Sequence, residues 1–523
     1  MWNLLLTLIT FMTLTGFLLS YSATAEVLET RRKPLRSRPP NIVLINADDL
    51  GYGDLGATGS ELINTPNIDK MASEGVLLTN FFASAPVCTP SRAGLLTGRY
   101  AIRAGLGVDV IFPGSKHGLP AEETTIAENL KEVGYNTAVI GKWHLGHYAE
   151  YWPTSQGFDY YFGLPYSNDM LPLALYRGTE KIEEPANQST LTKRYTEEAV
   201  RFVEQNADAP FFLYLPHTFP HLPLYASDDF RRTSKAGIYG DTVEEIDWSV
   251  GEILSTLRRL DLDDDTLVLF TSDNGPWFEG CAARRGRKQA TWDGGFHVPL
   301  IARWPGRIPE GAQSNGMAMN TDIFPTLVEL AGAEVPDDRA IDGRNIWGLL
   351  QGEQKSPHEA LLFFNSGVIG AVRTERWKLV LQPDNKLVPY IHGFLEGLVG
   401  ERLSAAVAAR LRSMHYVGPF DNMDYFLLFD LDTDPYERYS VAQNQPEALE
   451  YLCRLLHEAR AEFDPLLKDN PPPPVLSQGR PQPLKDPPSL RLSALSKTGL
   501  LAFAAGGTAI VLYVLRRKKT GET

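Results

Sequence analysis

Cysteine is nearly absent from this chain: 523 residues hold three, Cys88, Cys281 and Cys453. At most one bridge can form, which excludes a disulfide framework, and the scatter excludes a thiolate-rich zinc site. Net positive charge is also lacking, since 50 Lys and Arg stand against 64 Asp and Glu for a formal charge of −14. A field of that sign repels polyanions, so nucleic acid is not an expected partner and an anionic ligand needs a focused pocket. No repeat of solenoid length is evident. Core material is plentiful: 43% of residues are hydrophobic, with 24 Phe, 21 Tyr and 9 Trp. That composition and length suit one large α/β domain plus a smaller one.

Charge is missing from the first 25 residues altogether. The apolar run Leu4 to Leu19 is followed by Ala23-Thr24-Ala25, small residues at signal-peptidase spacing. Residues 1–25 therefore read as a cleaved secretory signal, with an uncleaved anchor as the alternative, and 26–40 as a basic leader. At the other end, prolines from Pro471 to Pro488 mark residues 466–498 as an extended stalk, because proline fixes φ and removes a donor. Gly499 to Leu515 carries no charge and is followed by Arg516-Arg517-Lys518-Lys519. This is the pattern of a transmembrane helix at 499–515 with a basic cytoplasmic tail at 516–523; a glycolipid-anchor signal and a buried helix are the rivals. The protein is expected to be a single-pass membrane protein of the secretory pathway or cell envelope, its body outside the cytoplasm.

Between the ends, short β-rich runs alternate with helical patterns, which predicts a mainly parallel sheet sandwiched by helices. Asn41 to Ile45, Thr137 to Ile140, Phe211 to Leu215 and Thr266 to Phe270 read as buried strands. Helices are expected from Thr65-Pro66 to Gly75, over Thr124 to Gly134, and from about Asp241 to Leu260. The large domain is placed at 41–355. A smaller α+β subdomain at 356–465 is expected to pair Ala371 to Leu381 with Tyr425 to Leu431 in an antiparallel sheet, with a helix from Pro446 to Glu462. Leu403 to Leu411 is helical by pattern.

In open α/β sheets, ligands sit beyond the carboxyl ends of the strands. Those positions carry Asp48-Asp49, Lys142 and His144, His217 and His221, and Asp273-Asn274. Asp48, Asp49, Asp273 and Asn274 are hard oxygen ligands suited to Ca²⁺ or Mg²⁺, although a single Asp-Asp pair also serves as a cap or solvated turn. Arg92, Lys142, His144, His221 and Lys288 are cationic or can become so. Carboxylates on a metal and cations on an anion suit transfer of a sulfuryl or phosphoryl group.

The sharpest string is Cys88-Thr89-Pro90-Ser91-Arg92, continued by Ala93 to Arg99 through Leu96-Thr97-Gly98. It resembles the sulfatase signature. In chain order, Asn41 to Gly53 is similar to that family's first strand with its metal aspartates, Gly141-Lys142-Trp143-His144-Leu145-Gly146 to its lysine-histidine block, and Ser272-Asp273-Asn274-Gly275 to its second metal block. The texture is closest to arylsulfatase A and N-acetylgalactosamine-6-sulfatase, and the likeness runs from about residue 40 to 465.

The resemblance implies an alkaline-phosphatase-like α/β fold and a type I, formylglycine-dependent sulfatase acting on an aryl sulfate, sulfated sugar or glycolipid. Cys88 would be converted to Cα-formylglycine by a formylglycine-generating enzyme, and its hydrate would be the nucleophile. Ca²⁺, or Mg²⁺, would be bound by Asp48, Asp49, Asp273, Asn274 and residue 88. Arg92 would hold the formylglycine hydroxyl and the metal-site carboxylates, Lys142 the sulfate, and His144 would accept a proton. His221 and Lys288 would serve the leaving oxygen, and Ser167 the sulfate. His217 competes with His221, but His221-Leu222-Pro223 matches the family pattern, and Arg284, Arg285 and Arg287 lie close to Lys288 in sequence. A phosphomonoester or phosphonate monoester hydrolase on the same scaffold is the runner-up, and an inactive membrane-tethered binding protein the third reading. Asn187-Gln188-Ser189 is the only glycosylation sequon.

Overall fold

A computed structural model describes residues 39–277, 284–381 and 426–469. The expected signal, transmembrane helix and basic tail lie outside these residues, as do Cys281, the pattern at 403–411 and the stalk from residue 470 on; residues 466–469, expected as the start of the stalk, are instead the last turn of a helix that ends at Asp469. Among the described residues no helix is long and apolar enough to cross a membrane.

The strands are β1 (Asn41–Ala47), β2 (Val76–Leu78), β3 (Phe81–Phe82), β4 (Asn136–Ile140), β5 (Tyr160–Gly163), β6 (Leu175–Arg177), β7 (Glu180–Glu183), β8 (Phe211–Pro216), β9 (Thr266–Ser272), β10 (Leu300–Arg303), β11 (Ala312–Ser314), β12 (Ala318–Met319), β13 (Leu361–Asn365), β14 (Val368–Arg373), β15 (Trp377–Val380) and β16 (Leu427–Asp430). Ten form one sheet in the order β11-β2-β10-β9-β1-β8-β4-β5-β6-β7. Its centre, β9-β1-β8-β4-β5, is parallel, and antiparallel pairings lie to either side. Every residue of β1, β8 and β9 is buried. Such strands are covered on both faces and so read as continuous apolar runs.

The helices that matter for the site are α1 (Pro66–Ser73), α2 (Cys88–Thr97), α3 (Ile126–Glu132), α4 (Leu191–Gln205), α5 (Gly237–Arg259), α6 (Ile323–Leu330) and α7 (Pro446–Asp469). Ile42 and Leu44 of β1 pack into a cluster with residues of α2, α3 and α6, while Val43 and Ile45 pack into another with α1, α4 and α5. The sheet is therefore sandwiched, as the alternation of elements implies. Thr125 closes a capping box with Glu128 and fixes the start of α3.

The C-terminal antiparallel sheet has four strands, β13-β14-β15-β16. The single run expected at Ala371 to Leu381 is in fact the end of β14, a turn at 374–376, and β15, because Thr374 pairs with Trp377 and reverses the chain. A third cluster joins this sheet and α7 to Phe82, Trp292, Phe296, Met317 and Met319.

Candidate active site

The carboxyl ends of β1, β4, β8 and β9 deliver the polar residues to one place. Asp49 adopts φ 69°, a left-handed conformation that Asp tolerates better than most residues. Its backbone N–H donates to Asp273 Oδ1 at 3.1 Å, which ties the end of β1 to that of β9. Gly141, with φ 135°, ends β4 where a Cβ would lie 1.9 Å from the Pro216 carbonyl. Only glycine permits that approach, and it lets the Lys142 N–H donate to the same carbonyl at 2.8 Å.

Cys88 is the first residue of α2, all ten residues of which are buried, and Gly98 in the left-handed region closes the helix. The N-terminal end of the helix, with its partial positive charge, therefore meets the cluster. Asp48 Oδ1 lies 3.5 Å from Cys88 Sγ, Lys142 Nζ 3.4 Å and Lys288 Nζ 3.2 Å. Lys142 pairs with Asp48 at 2.5 Å and donates to Ser167 Oγ at 3.1 Å. Lys288 pairs with Asp49 at 2.7 Å. Arg92 grips Asp273 through Nε at 3.0 Å and Nη2 at 2.9 Å, donates to the Lys142 carbonyl at 2.9 Å, and stands 3.6 Å from Asp48. Ser167 Oγ lies 3.2 Å from His221 Nε2, and that nitrogen is 3.8 Å from Asp49. His144 is buried with φ 62°; its Nε2 meets the Ile111 carbonyl at 3.0 Å and its Nδ1 is buried with no partner.

Charge sets the protonation states. Burial alone would raise Asp48, but Lys142, His221, Arg92 and Lys288 outweigh it and hold the carboxylate well below its usual range. Asp273 is pushed up to about 6 by burial and by Asp48, against the pull of Arg92. Lys288 is driven upward by Asp49 and Cys88 despite burial and stays an ammonium. Burial raises the Cys88 thiol to about 12, although Lys142 and Lys288 pull the other way. His144 falls well below its ordinary value through burial and the charges of Lys142 and Arg92.

One ligand atom from each of Asp48, Asp49, Cys88 and His221 lies within 4.8 Å of the others. Asn274 Nδ2 donates to Asp49 at 2.7 Å and leaves its own Oδ1 buried without a partner. An orphaned amide oxygen beside three aspartates fits a hard divalent cation. His217 is elsewhere: it is buried and packs near Tyr195, neither ring nitrogen has a partner, and burial lowers it to about 3. Arg284 and Arg285 are committed to the carbonyls of Pro435 and Glu437, so of the basic residues in that loop Lys288 is the one that enters the cluster.

Sequence reasoning missed the residues that hold these groups in place. Ser91 Oγ donates to the Asp273 carbonyl, and Asn320 Nδ2 donates to Ser91 Oγ at 2.8 Å. Lys378 Nζ bridges Asp293 at 2.8 Å and Glu437 at 2.7 Å, and Arg373 holds the other Asp293 oxygen at 2.8 Å. Ser91 lies inside the signature and Asp293 in the block Lys288 to Gly295, which is similar to a sulfatase block of Lys, Thr, an acidic residue and Gly-Gly, whereas Asn320, Arg373, Lys378 and Glu437 are far from the site in sequence and carried no signal.

The sulfatase family model matches residues 40–333, and the model for the C-terminal part of N-sulphoglucosamine sulphohydrolase matches 287–387. Arylsulfatase G of Rattus norvegicus is 36% identical over 495 residues, covering 83% of this chain and 89% of that protein. N-acetylgalactosamine-6-sulfatase of Canis lupus familiaris is 36% identical, covering 80% of this chain and 84% of that protein. Among solved structures, PsFucS1 sulfatase from Pseudoalteromonas sp. superposes with a TM-score of 0.70 at 28% identity, over 86% of this chain and 93% of that one.

Proposed function

Since the chain belongs to the sulfatase family and is a sulfuric ester hydrolase, we propose that it cleaves an aryl sulfate, sulfated sugar or glycolipid through a formylglycine hydrate at position 88 beside a bound divalent cation. The setting of Cys88 carries this reading. A thiol raised to about 12 stays protonated at neutral pH, and a protonated thiol is a poor nucleophile. Two ammonium groups within 3.4 Å and the helix terminus favour an oxygen nucleophile and an anionic substrate there. Conversion of Cys88 to the aldehyde by a formylglycine-generating enzyme, followed by hydration, supplies that oxygen.

One hydroxyl of the hydrate attacks sulfur, the ester S–O bond breaks, and the alcohol departs with a proton. The second hydroxyl gives up its proton, the C=O bond re-forms, and the C–O bond to sulfate breaks. Water then adds to the aldehyde, so one water is consumed per ester cleaved. Lys142 and Ser167 face the sulfate oxygens. Arg92 holds Asp48 and Asp273 in place beside the attacking hydroxyl, whose proton Asp273 takes, and His144 Nδ1 accepts the second proton. His221 and Lys288 serve the leaving oxygen. Asp48, Asp49, Asp273 and Asn274, with residue 88, would hold Ca²⁺ or Mg²⁺, which when bound neutralises charge on the sulfate and acidifies the hydrate. The body is proposed to lie outside the cytoplasm, tethered through residues 499–515.

Sulfate and phosphate release from matched aryl esters tests the reading. Release of sulfate that stops on chelation and returns with Ca²⁺ or Mg²⁺ is expected. Preferred release of phosphate favours the phosphomonoester reading, and release of neither, with the aldehyde present, favours a tethered binding protein.

A further inference from the structure

Asn168 follows Ser167 and is buried at 2% exposure. Its amide orientation is dictated by its neighbours. Nδ2 lies 2.9 Å from the Pro223 carbonyl and 2.9 Å from Gln188 Oε1. A proline carbonyl only accepts, so the atom facing it is the NH₂ group. Oδ1 therefore faces His221 Nδ1 at 3.0 Å, and the Leu222 carbonyl stands 2.5 Å from the same nitrogen. A ring nitrogen between two acceptors carries the hydrogen. Nε2 is then left toward Asp49 and Ser167, and it is the nitrogen that can exchange a proton with a substrate. Gln188 completes the brace by donating to the Asn168 carbonyl at 3.2 Å.

We propose that Asn168, backed by Gln188, is a positioning residue that fixes the Nδ1–H tautomer of His221 and presents Nε2 to the leaving-group oxygen. The proposal rests on the sulfatase reading above. Two acceptors on Nδ1–H also stabilise the ring when Nε2 is protonated, as carbonyl and carboxylate partners of catalytic histidines do. Asn168 touches no reacting atom, so its effect should scale with the need for proton delivery to the leaving group.

The test is a series of aryl sulfates of increasing phenol pKa, run with the full-length, formylglycine-bearing enzyme and with Asn168→Leu, Asn168→Asp and Gln188→Leu. For Asn168→Leu, kcat is expected to fall by roughly 10- to 100-fold on phenyl sulfate, the scale of lost outer-shell partners, and much less on 4-nitrophenyl sulfate, with KM unchanged. Asn168→Asp keeps an acceptor for Nδ1–H but sets its second oxygen against the Pro223 carbonyl, so it is expected to recover part of the loss on phenyl sulfate. Gln188 is half-buried, so Gln188→Leu provides a folding-tolerant probe with a smaller change of the same leaving-group slope. A uniform loss across the series, or none, overturns the proposal. A parent enzyme that carries the aldehyde yet releases no sulfate removes the sulfatase reading, and this proposal falls with it.

Discussion

At the scale of single residues, the site is a balance of charges that no one group could hold alone. Asp48 stays ionised in a fully buried position because Lys142, Arg92, His221 and Lys288 surround it, and Lys288 stays protonated because Asp49 lies at 2.7 Å. Cys88 has Lys142 and Lys288 beside it, but burial, with Asp48 and Asp273, prevails over them. Unmodified protein is therefore expected to react with iodoacetamide at Cys88 far more slowly than a free cysteine at pH 8, with the rate still climbing toward pH 12. Fast alkylation of Cys88 in the native protein, measured by peptide mapping, would show that the thiol is ionised and reopen thiol catalysis. Most of these residues were legible in the sequence because the end of each buried strand is a place where ligands collect. Asn168 was not, since its role depends on the carbonyls of Leu222 and Pro223 in another loop.

Among the elements, α2 and the four strand ends carry the site, and their own supports come from a distance. Helix α1 packs beside β10 with no side-chain cap from Thr65. Its first turn is capped instead by Asp247 of α5, which accepts from Asn67 N at 2.9 Å and Ile68 N at 2.8 Å. Asp247→Ala leaves those donors unpaired and is expected to lower the unfolding free energy by about 1–3 kcal/mol while kcat holds, a shift that denaturant titration reads directly. An unchanged midpoint would remove the capping role. Legibility follows burial here too. The fully buried β1, β8 and β9 read plainly as apolar runs, whereas β6, in which only Leu175 is buried, and the largely exposed β7, with Glu180 and Lys181, offer no apolar pattern to read. β2 and β11 are three residues each, too short for any period to emerge.

At the scale of the molecule, the C-terminal sheet braces the candidate site. The loop that carries Lys288 is tied to it at Arg284, Arg285 and Asn365, and ends at Asp293, where Lys378 of β15 and Arg373 of β14 meet Glu437 in a buried ion cluster. Lys378→Met strands the buried Glu437 carboxylate and leaves Asp293 with Arg373 alone, and is expected to cost about 3–5 kcal/mol of stability, with activity lost together with the placement of Lys288. Adding Glu437→Gln should restore part of it, and a double-mutant cycle that finds no coupling would contradict the brace. The sequence marked a small second sheet but not this joint, because an ion pair across 85 residues leaves no local trace.

The most direct test of the central claim is mass spectrometry of the tryptic peptide Met71 to Arg92 from protein that is releasing sulfate. An aldehyde at position 88 is the expected result. An intact thiol at position 88 in fully active protein would contradict the mechanism.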